Sequence, residues 1–195
     1  MAYEYNTAAS GGLVIDAKKR AVINGRIDRI DKAKSDDESY LRIIDYKTGS
    51  KEFSFENLEY GTDLQLPLYL RAVTSNGNEN PGGFLYLSSA TPKITLNSAS
   101  ELEDTDKINS LILSTIGASG VLNSLFVKKK SAKLAAYTSE ELNSLLDETE
   151  DVIRGTVNRI ADGDFDASPA CINKKYPCEY CAFAAICRRR RYSKD

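Results

Sequence analysis

Between Gly25 and Gly49 the chain reads GRIDRIDKAKSDDESYLRIIDYKTG, and it holds the residues best suited to chemistry: Asp28, Asp45 and Lys47. Side chains alternate faces along a strand, so Asp45 and Lys47 share one face about 6.6 Å apart while Tyr46 points away. With Asp28 on the neighbouring strand turned to the same side, two carboxylates and one ammonium converge on a small volume. Such a set suits a hard divalent cation and an anionic substrate: oxygen ligands hold Mg2+, and the lysine manages charge at a phosphate. The chain contains no histidine. Ser-His-Asp and Cys-His catalysis and helical HExxH zinc sites are thereby excluded, so acid-base work falls to carboxylates, lysine, tyrosine or metal-activated water.

The elements that must position these groups are legible from pattern. Residues 25–33 and 40–47 are rich in Ile, Leu and Tyr, and the KSDDES between them is a solvated turn signal, which predicts an antiparallel hairpin. The LVIDA run, residues 13–17, predicts a shorter strand that Lys18-Lys19 turns toward the strand containing Gly25. This gives a three-stranded meander ending at Lys47, where Thr48-Gly49-Ser50 breaks the sheet. Residues 1–12 carry no periodicity and read as a leader or the cut edge of something longer. A helix is predicted over 63–73, capped by Thr62 and stopped by Ser75-Asn76-Gly77, with Pro67 its one awkward residue. It places Gln65 and Tyr69 at i and i+4, on one face. Beyond Pro81-Gly82-Gly83, residues 84–87 have strand character, and 108–113 suit helix or strand equally. Thr138-Ser-Glu-Glu141 is a capping box, and Leu142, Leu145, Leu146, Val152, Ile153, Val157 and Ile160 follow at helical spacing. The longest helix is therefore expected over 139–162, packed on the sheet, with a polar connector over 164–175.

At 195 residues, 42% hydrophobic and 28% charged, the composition is that of an ordinary globular chain with no apolar run long enough to span a bilayer. The start lacks the basic and then apolar layout of a signal peptide, so a cytoplasmic location with reduced or metal-bound cysteines is expected. A formal net charge of -2 gives no global attraction to nucleic acid, so binding must come from local patches. Two basic clusters qualify: Lys128, Lys129, Lys130 and Lys133, and Arg188 to Arg191.

In their order and spacing, IDRID, IIDYKTG and LQLPLYL resemble the RecB-like branch of the PD-(D/E)xK nucleases. The resemblance implies an α/β restriction-endonuclease-like core, a central mixed sheet flanked by helices, over residues 13–166. It implies Asp28 and Asp45 as ligands of Mg2+ or Mn2+, joined by the backbone carbonyl of Tyr46, and Lys47 as the lysine beside the attacking water. Gln65 and Tyr69 match the helix motif that contacts DNA. The first core helix, which supplies another acidic or histidine ligand in that family, finds no match in residues 1–12.

Cys171, Cys178, Cys181 and Cys187 are spaced C-x6-C-x2-C-x5-C. The last three match the tail by which iron-sulfur members of the branch hold a [4Fe-4S] cluster, making residues 167–195 a Cys-rich tail with a basic end. The fourth ligand is either Cys171 or a cysteine upstream of this chain, while a four-thiolate zinc site and free thiols are the other readings. The resemblance is strongest to nuclease domains carried by helicase-nuclease complexes. It implies metal-dependent exonuclease action on DNA, single-stranded by expectation, alongside a helicase partner, in the resection of double-strand breaks. A free-standing nuclease of the same branch and a non-cleaving module that binds DNA or a partner are the alternatives.

Overall fold

The computed structural model describes residues 2–49, 51–75, 77–89, 117–127 and 133–166, together with 169, 171–172, 176, 178, 181–183 and 186–187. The ambiguous segment 108–113, the basic residues 128–130 and the arginine run 188–191 lie outside the described residues. Lys133, the described member of the first basic cluster, pairs with Glu52 at 2.6 Å.

The expected hairpin is present as β4 (Arg26–Ser35) and β5 (Glu38–Lys47), paired antiparallel from Arg29↔Ile44 to Ser35↔Glu38. Asp36 and Asp37 connect them, both with positive φ, 49° and 66°. Two left-handed residues in a two-residue loop give the turn whose twist matches the flanking strands, and Asp tolerates that conformation better than most side chains.

Around this hairpin a six-stranded mixed sheet runs in the order β1-β4-β5-β6-β7-β8. Its edge strand, β1 (Ala2–Asn6), pairs antiparallel with β4. Residues 2–10, which show no periodicity in the sequence, supply β1 and a 3-10 turn over Thr7–Ser10. Nor do the first strands form one meander. β2 (Leu13–Asp16) and β3 (Arg20–Ile23) make a separate two-stranded sheet, and the chain leaves it at Asn24 and Gly25 before β4 begins.

On the other side of the hairpin, β6 (Glu79–Ser88) lies parallel to β5. It is longer than its sequence suggests, because Pro81-Gly82 is a bulge inside the strand and the register shifts between Leu41 and Arg42. An ideal Cβ on Gly82 would stand 2.9 Å from the Leu41 carbonyl oxygen, so only glycine lets the strands approach there. β7 (Ala118–Asn123) pairs antiparallel with β6, and β8 (Leu134–Tyr137) pairs parallel with β7.

The crossover from β5 to β6 carries α1 (Phe55–Glu59) and α2 (Gln65–Thr74). Helix α2 begins two residues later than expected, and Thr62 does not cap it: its hydroxyl donates to the Asn57 carbonyl at 3.0 Å. Pro67 thus falls in the first turn, where its missing N–H would have no helical acceptor, and the kink disappears. Helix α3 (Ser139–Ala161) starts with the expected capping box, Thr138 and Glu141 each bonding the other's backbone N–H.

Leu58, Leu66, Leu70, Leu142, Leu145 and Leu146 from the helices meet Ile27, Ile43, Phe84, Tyr86 and Val121 from the sheet in one core. Fully burying such side chains contributes about 1.5–3 kcal/mol each. The opposite face of α2 packs Leu68 and Ala72 against Leu13 and Ile15, so the helix is held between the sheet and the β2–β3 hairpin. Arg71 ties α2 to α3 through Asp147 and Glu150. Beyond Thr149 the apolar stripe of α3 is only partly buried, with Ile153 against the cluster of Leu13 and Ile15, and Ile160 is 55% exposed, which the helical spacing alone did not reveal. Among the described residues no helix is long and apolar enough to cross a membrane.

Candidate active site

The strand that carries Asp28 is anchored at its entrance by a segment that shows no periodicity in the sequence. Thr7, buried in the 3-10 turn, accepts the Gly25 N–H on Oγ1 at 2.7 Å, and both its hydroxyl and its own N–H donate to the Gly25 carbonyl. From the other side the ring of Tyr69 fills the place of a Gly25 side chain: an added Cβ would lie 2.3 Å from Cε1 of that ring. The glycine of GRID is thus required by close approach, and Tyr69 locks α2 against the start of β4.

Asp28 sits where the ladder ends. Ile27 and Ile30 both pack into the main core although they are three residues apart, so the strict alternation of the strand is broken between them. Pairing with β5 begins at Arg29, and the next main-chain donor of β5, the Tyr46 N–H, is taken by Asp28 Oδ2 at 2.9 Å. A side chain replaces the ladder's last carbonyl acceptor and brings the first carboxylate against the DYK segment.

Asp45 is 4% exposed and lies directly across from Tyr86 in the parallel pairing of β5 and β6. Its Oδ1 accepts a hydrogen bond from Gln65 Nε2 at 3.1 Å. Its Oδ2 lies 2.7 Å from Lys47 Nζ. That ion pair is the contact of the buried Oδ2, which no neutral donor reaches. Lys47 Nζ also approaches Gln65 Oε1 at 3.5 Å and stands 5.3 Å from the centroid of the Tyr86 ring.

Beneath this group Tyr86 donates its hydroxyl to Asp63 Oδ1 at 2.7 Å, and the Ser54 N–H donates to Asp63 Oδ2 at 3.2 Å. Burial, then the hydrogen bond to Asp63, then the charges of Asp63 and Asp45 push the Tyr86 phenol well above its ordinary pKa. It remains a neutral donor at any working pH. The ring of Tyr46 faces outward, where its hydroxyl accepts from Arg29 Nη1 at 3.1 Å.

Four of the expected residues are therefore connected: Asp45, Lys47 and Gln65 by direct contact, and Asp28 through the backbone of Tyr46. Gln65 turns its amide to Asp45 and Lys47, and Tyr69 packs on Gly25. Among the described residues no three His, Cys, Asp or Glu side chains gather at one point. The oxygens of Asp28 and Asp45 and the Tyr46 carbonyl are of the hard type that a divalent cation takes, and the Asp45 carboxylate keeps lone pairs beyond its contacts with Gln65 and Lys47. Thr7, Asp63 and Tyr86 were missed by sequence reasoning. Asp63 read as the first residue of α2 and Tyr86 as part of a short run with strand character, and nothing local marks Thr7.

The cysteines form no disulfide; Cys171 and Cys181 are exposed, and Cys178 and Cys187 are half-buried. The Cys181 N–H meets the Cys178 carbonyl at 3.3 Å, and the Cys187 N–H meets the Phe183 carbonyl at 2.9 Å. These are turn-level bonds. Four free thiols are the donors that iron-sulfur clusters or zinc require, although no three of them converge among the described residues.

The family model of the PD-(D/E)XK nuclease superfamily matches residues 1–188. The chain is 30% identical over 192 residues to an ATP-dependent helicase/deoxyribonuclease subunit of Clostridium acetobutylicum, a match covering 86% of this chain and 17% of that protein. To the protein of the same name from Clostridium perfringens it is 34% identical over 197 residues, with 85% of this chain and 17% of the relative covered. For that of Listeria welshimeri the identity is 28% over 201 residues, with 89% and 17% covered. The chain thus spans less than a fifth of the length of these curated relatives.

Proposed function

Because the chain belongs to the PD-(D/E)XK nuclease superfamily, we propose that Asp28, Asp45 and Lys47 form the catalytic centre of a metal-dependent deoxyribonuclease. The observation that carries this reading is the buried Asp45 carboxylate, held between the Lys47 ammonium at 2.7 Å and the Gln65 amide at 3.1 Å. A buried carboxylate that has one ammonium and one neutral amide for partners suits a site that also takes a cation.

Asp28, Asp45 and the Tyr46 carbonyl would hold Mg2+ or Mn2+. When bound there, such an ion supplies Lewis-acid polarisation of a phosphoryl oxygen and lowers the pKa of water. Lys47 places its ammonium where negative charge develops on the phosphate and orients the attacking water. Gln65 holds Asp45 in position, and Tyr69 keeps α2, hence Gln65, against the motif strand. Any DNA contact by Gln65 and Tyr69 is made from these positions.

The relatives are named as helicase/deoxyribonuclease subunits. By that likeness this chain is the nuclease part of an AddAB-type enzyme, with DNA fed as a single strand by an AddA-like helicase partner in the cytoplasm. Its reaction there is exonucleolytic resection of double-strand breaks for recombinational repair. Residues 13–166 form the nuclease body, to which 2–12 add an edge strand, and residues 167–195 form the tail. In the tail Cys178, Cys181 and Cys187 hold a [4Fe-4S] cluster, with Cys171 or an upstream cysteine as the fourth ligand.

Asp45→Asn and Lys47→Ala test the centre in the full-length parent protein, since the isolated chain is expected to be a weak or inactive nuclease. Each is expected to abolish Mg2+-dependent cleavage of single-stranded DNA while binding and the thermal transition are retained. A variant that keeps more than a few per cent of the wild-type rate overturns the assignment. Stoichiometric iron and labile sulfide after anaerobic purification are expected for the tail, and zinc without sulfide overturns the cluster.

A further inference from the structure

Just past the catalytic strand, Lys51 brings a second cation to the site, one that the proposed catalytic set does not use. Its ammonium lies 5.3 Å from the centroid of the Tyr86 ring, the same distance at which Lys47 approaches that ring. The two charges are therefore at most twice that distance apart, and each is within the range at which an aromatic ring attracts a cation.

The partner of Lys51 is Asp63, at 3.4 Å from Oδ1. The two ends of this pair differ sharply: the Asp63 side chain is 1% exposed and that of Lys51 is 41% exposed. Asp63 already accepts the Tyr86 hydroxyl and the Ser54 N–H. Lys51 therefore offsets the buried charge from a distance long for a hydrogen bond, and its solvent-facing donors remain for an outside acceptor. A cation held over an aromatic ring, anchored by a buried carboxylate and open to solvent beside the reacting centre, is placed for an anion.

We infer that Lys51 is a substrate-positioning residue, contacting a phosphate of the DNA strand adjacent to the one held at Asp45 and Lys47. The inference rests on the nuclease reading above. Hydrolysis of one phosphodiester needs the strand fixed on at least one side of the scissile bond, because misplacement of the reacting phosphate forfeits the advantage of proximity. A lysine contact to a neighbouring phosphate supplies that fixing without reading sequence. Asp63 and Tyr86 act through Lys51 by setting where its ammonium stands.

The test is binding of the full chain to a single-stranded oligonucleotide in chelator, across a salt series, followed by cleavage kinetics in Mg2+. Removing one phosphate contact is expected to reduce the slope of log K against log salt by about 0.7. Lys51→Ala and Lys51→Gln should both show that reduction and raise KM severalfold with kcat within about threefold, and Lys51→Arg should restore the slope. The glutamine variant keeps most of the stem over Tyr86, so a slope change in it reports charge rather than packing. An unchanged slope in both neutral variants, with wild-type binding intact, overturns this inference alone. A wild-type chain that neither binds nor cuts DNA overturns the nuclease reading and this inference together.

Discussion

The two faces of the β4–β5 hairpin both carry aspartate, and they treat its charge in opposite ways. On the outer face Asp31 stands across from Arg42. It accepts from Arg29 Nε at 2.8 Å and Nη2 at 3.1 Å, and from Arg42 Nη2 at 2.6 Å. Burial alone would raise its pKa, but the hydrogen bonds from Arg29 and Arg42 outweigh it and hold the carboxyl below its ordinary value. On the inner face Asp45 has one neutral amide donor, from Gln65, and one ammonium, from Lys47. A carboxylate ringed by guanidinium donors is a poor ligand for a cation, because most of its lone pairs are taken and the arginine charges repel the ion, whereas Asp45 faces a single ammonium. The doubled GRIDRID motif thus holds two aspartates three residues apart, one bonded to the Tyr46 backbone and the other to two arginines, and only their partners tell them apart.

The largest expected effect sets the two faces directly against each other. Asp45→Asn should slow single-turnover DNA cleavage by about a thousandfold or more, roughly 4 kcal/mol of barrier. Asp31→Asn should leave the rate per folded molecule within about threefold. Similar losses from both would break the comparison.

Next, Gly25→Ala forces a Cβ into the Tyr69 ring and should cost about 1–3 kcal/mol of stability by overpacking. Because the displaced helix carries Gln65, cleavage by the folded fraction should fall as well, which denaturant titration paired with kinetics would show. A smaller effect belongs to Asp31→Asn on stability, about 1–2 kcal/mol at neutral pH, since the charges are partly solvated. The sign follows from the depressed native pKa. The wild-type advantage is complete above the ordinary carboxylate value of 3.8 and disappears as pH falls through the native one. Thermal transitions of the pair from pH 7 downward should therefore converge in acid. Smallest is Thr138→Ala, remote from both faces, which removes the capping box of α3 for about 1 kcal/mol and should leave cleavage unchanged.

Where the signal is local in the chain, the sequence was enough. The hairpin, its aspartate turn, the capping box of α3 and the adjacency of Asp45 and Lys47 all follow from strand alternation, turn chemistry and capping, which act over a few residues. The resemblance in the order of IDRID, IIDYKTG and LQLPLYL located the candidate site for the same reason. Everything that depends on residues far apart in sequence came from packing. The separation of Asp28 from Asp31 into different surroundings required Arg42 and Tyr46 from the next strand. The clamp on Gly25 required Thr7 and Tyr69, and the anchoring of Lys51 required Tyr86 and Asp63, side chains that read as leader, strand filler and helix start. Local pattern determines which backbone forms and which face a residue takes. Whether a carboxylate is quenched, buried or left with a free lone pair depends on which distant donors the tertiary fold brings within about 3 Å of it.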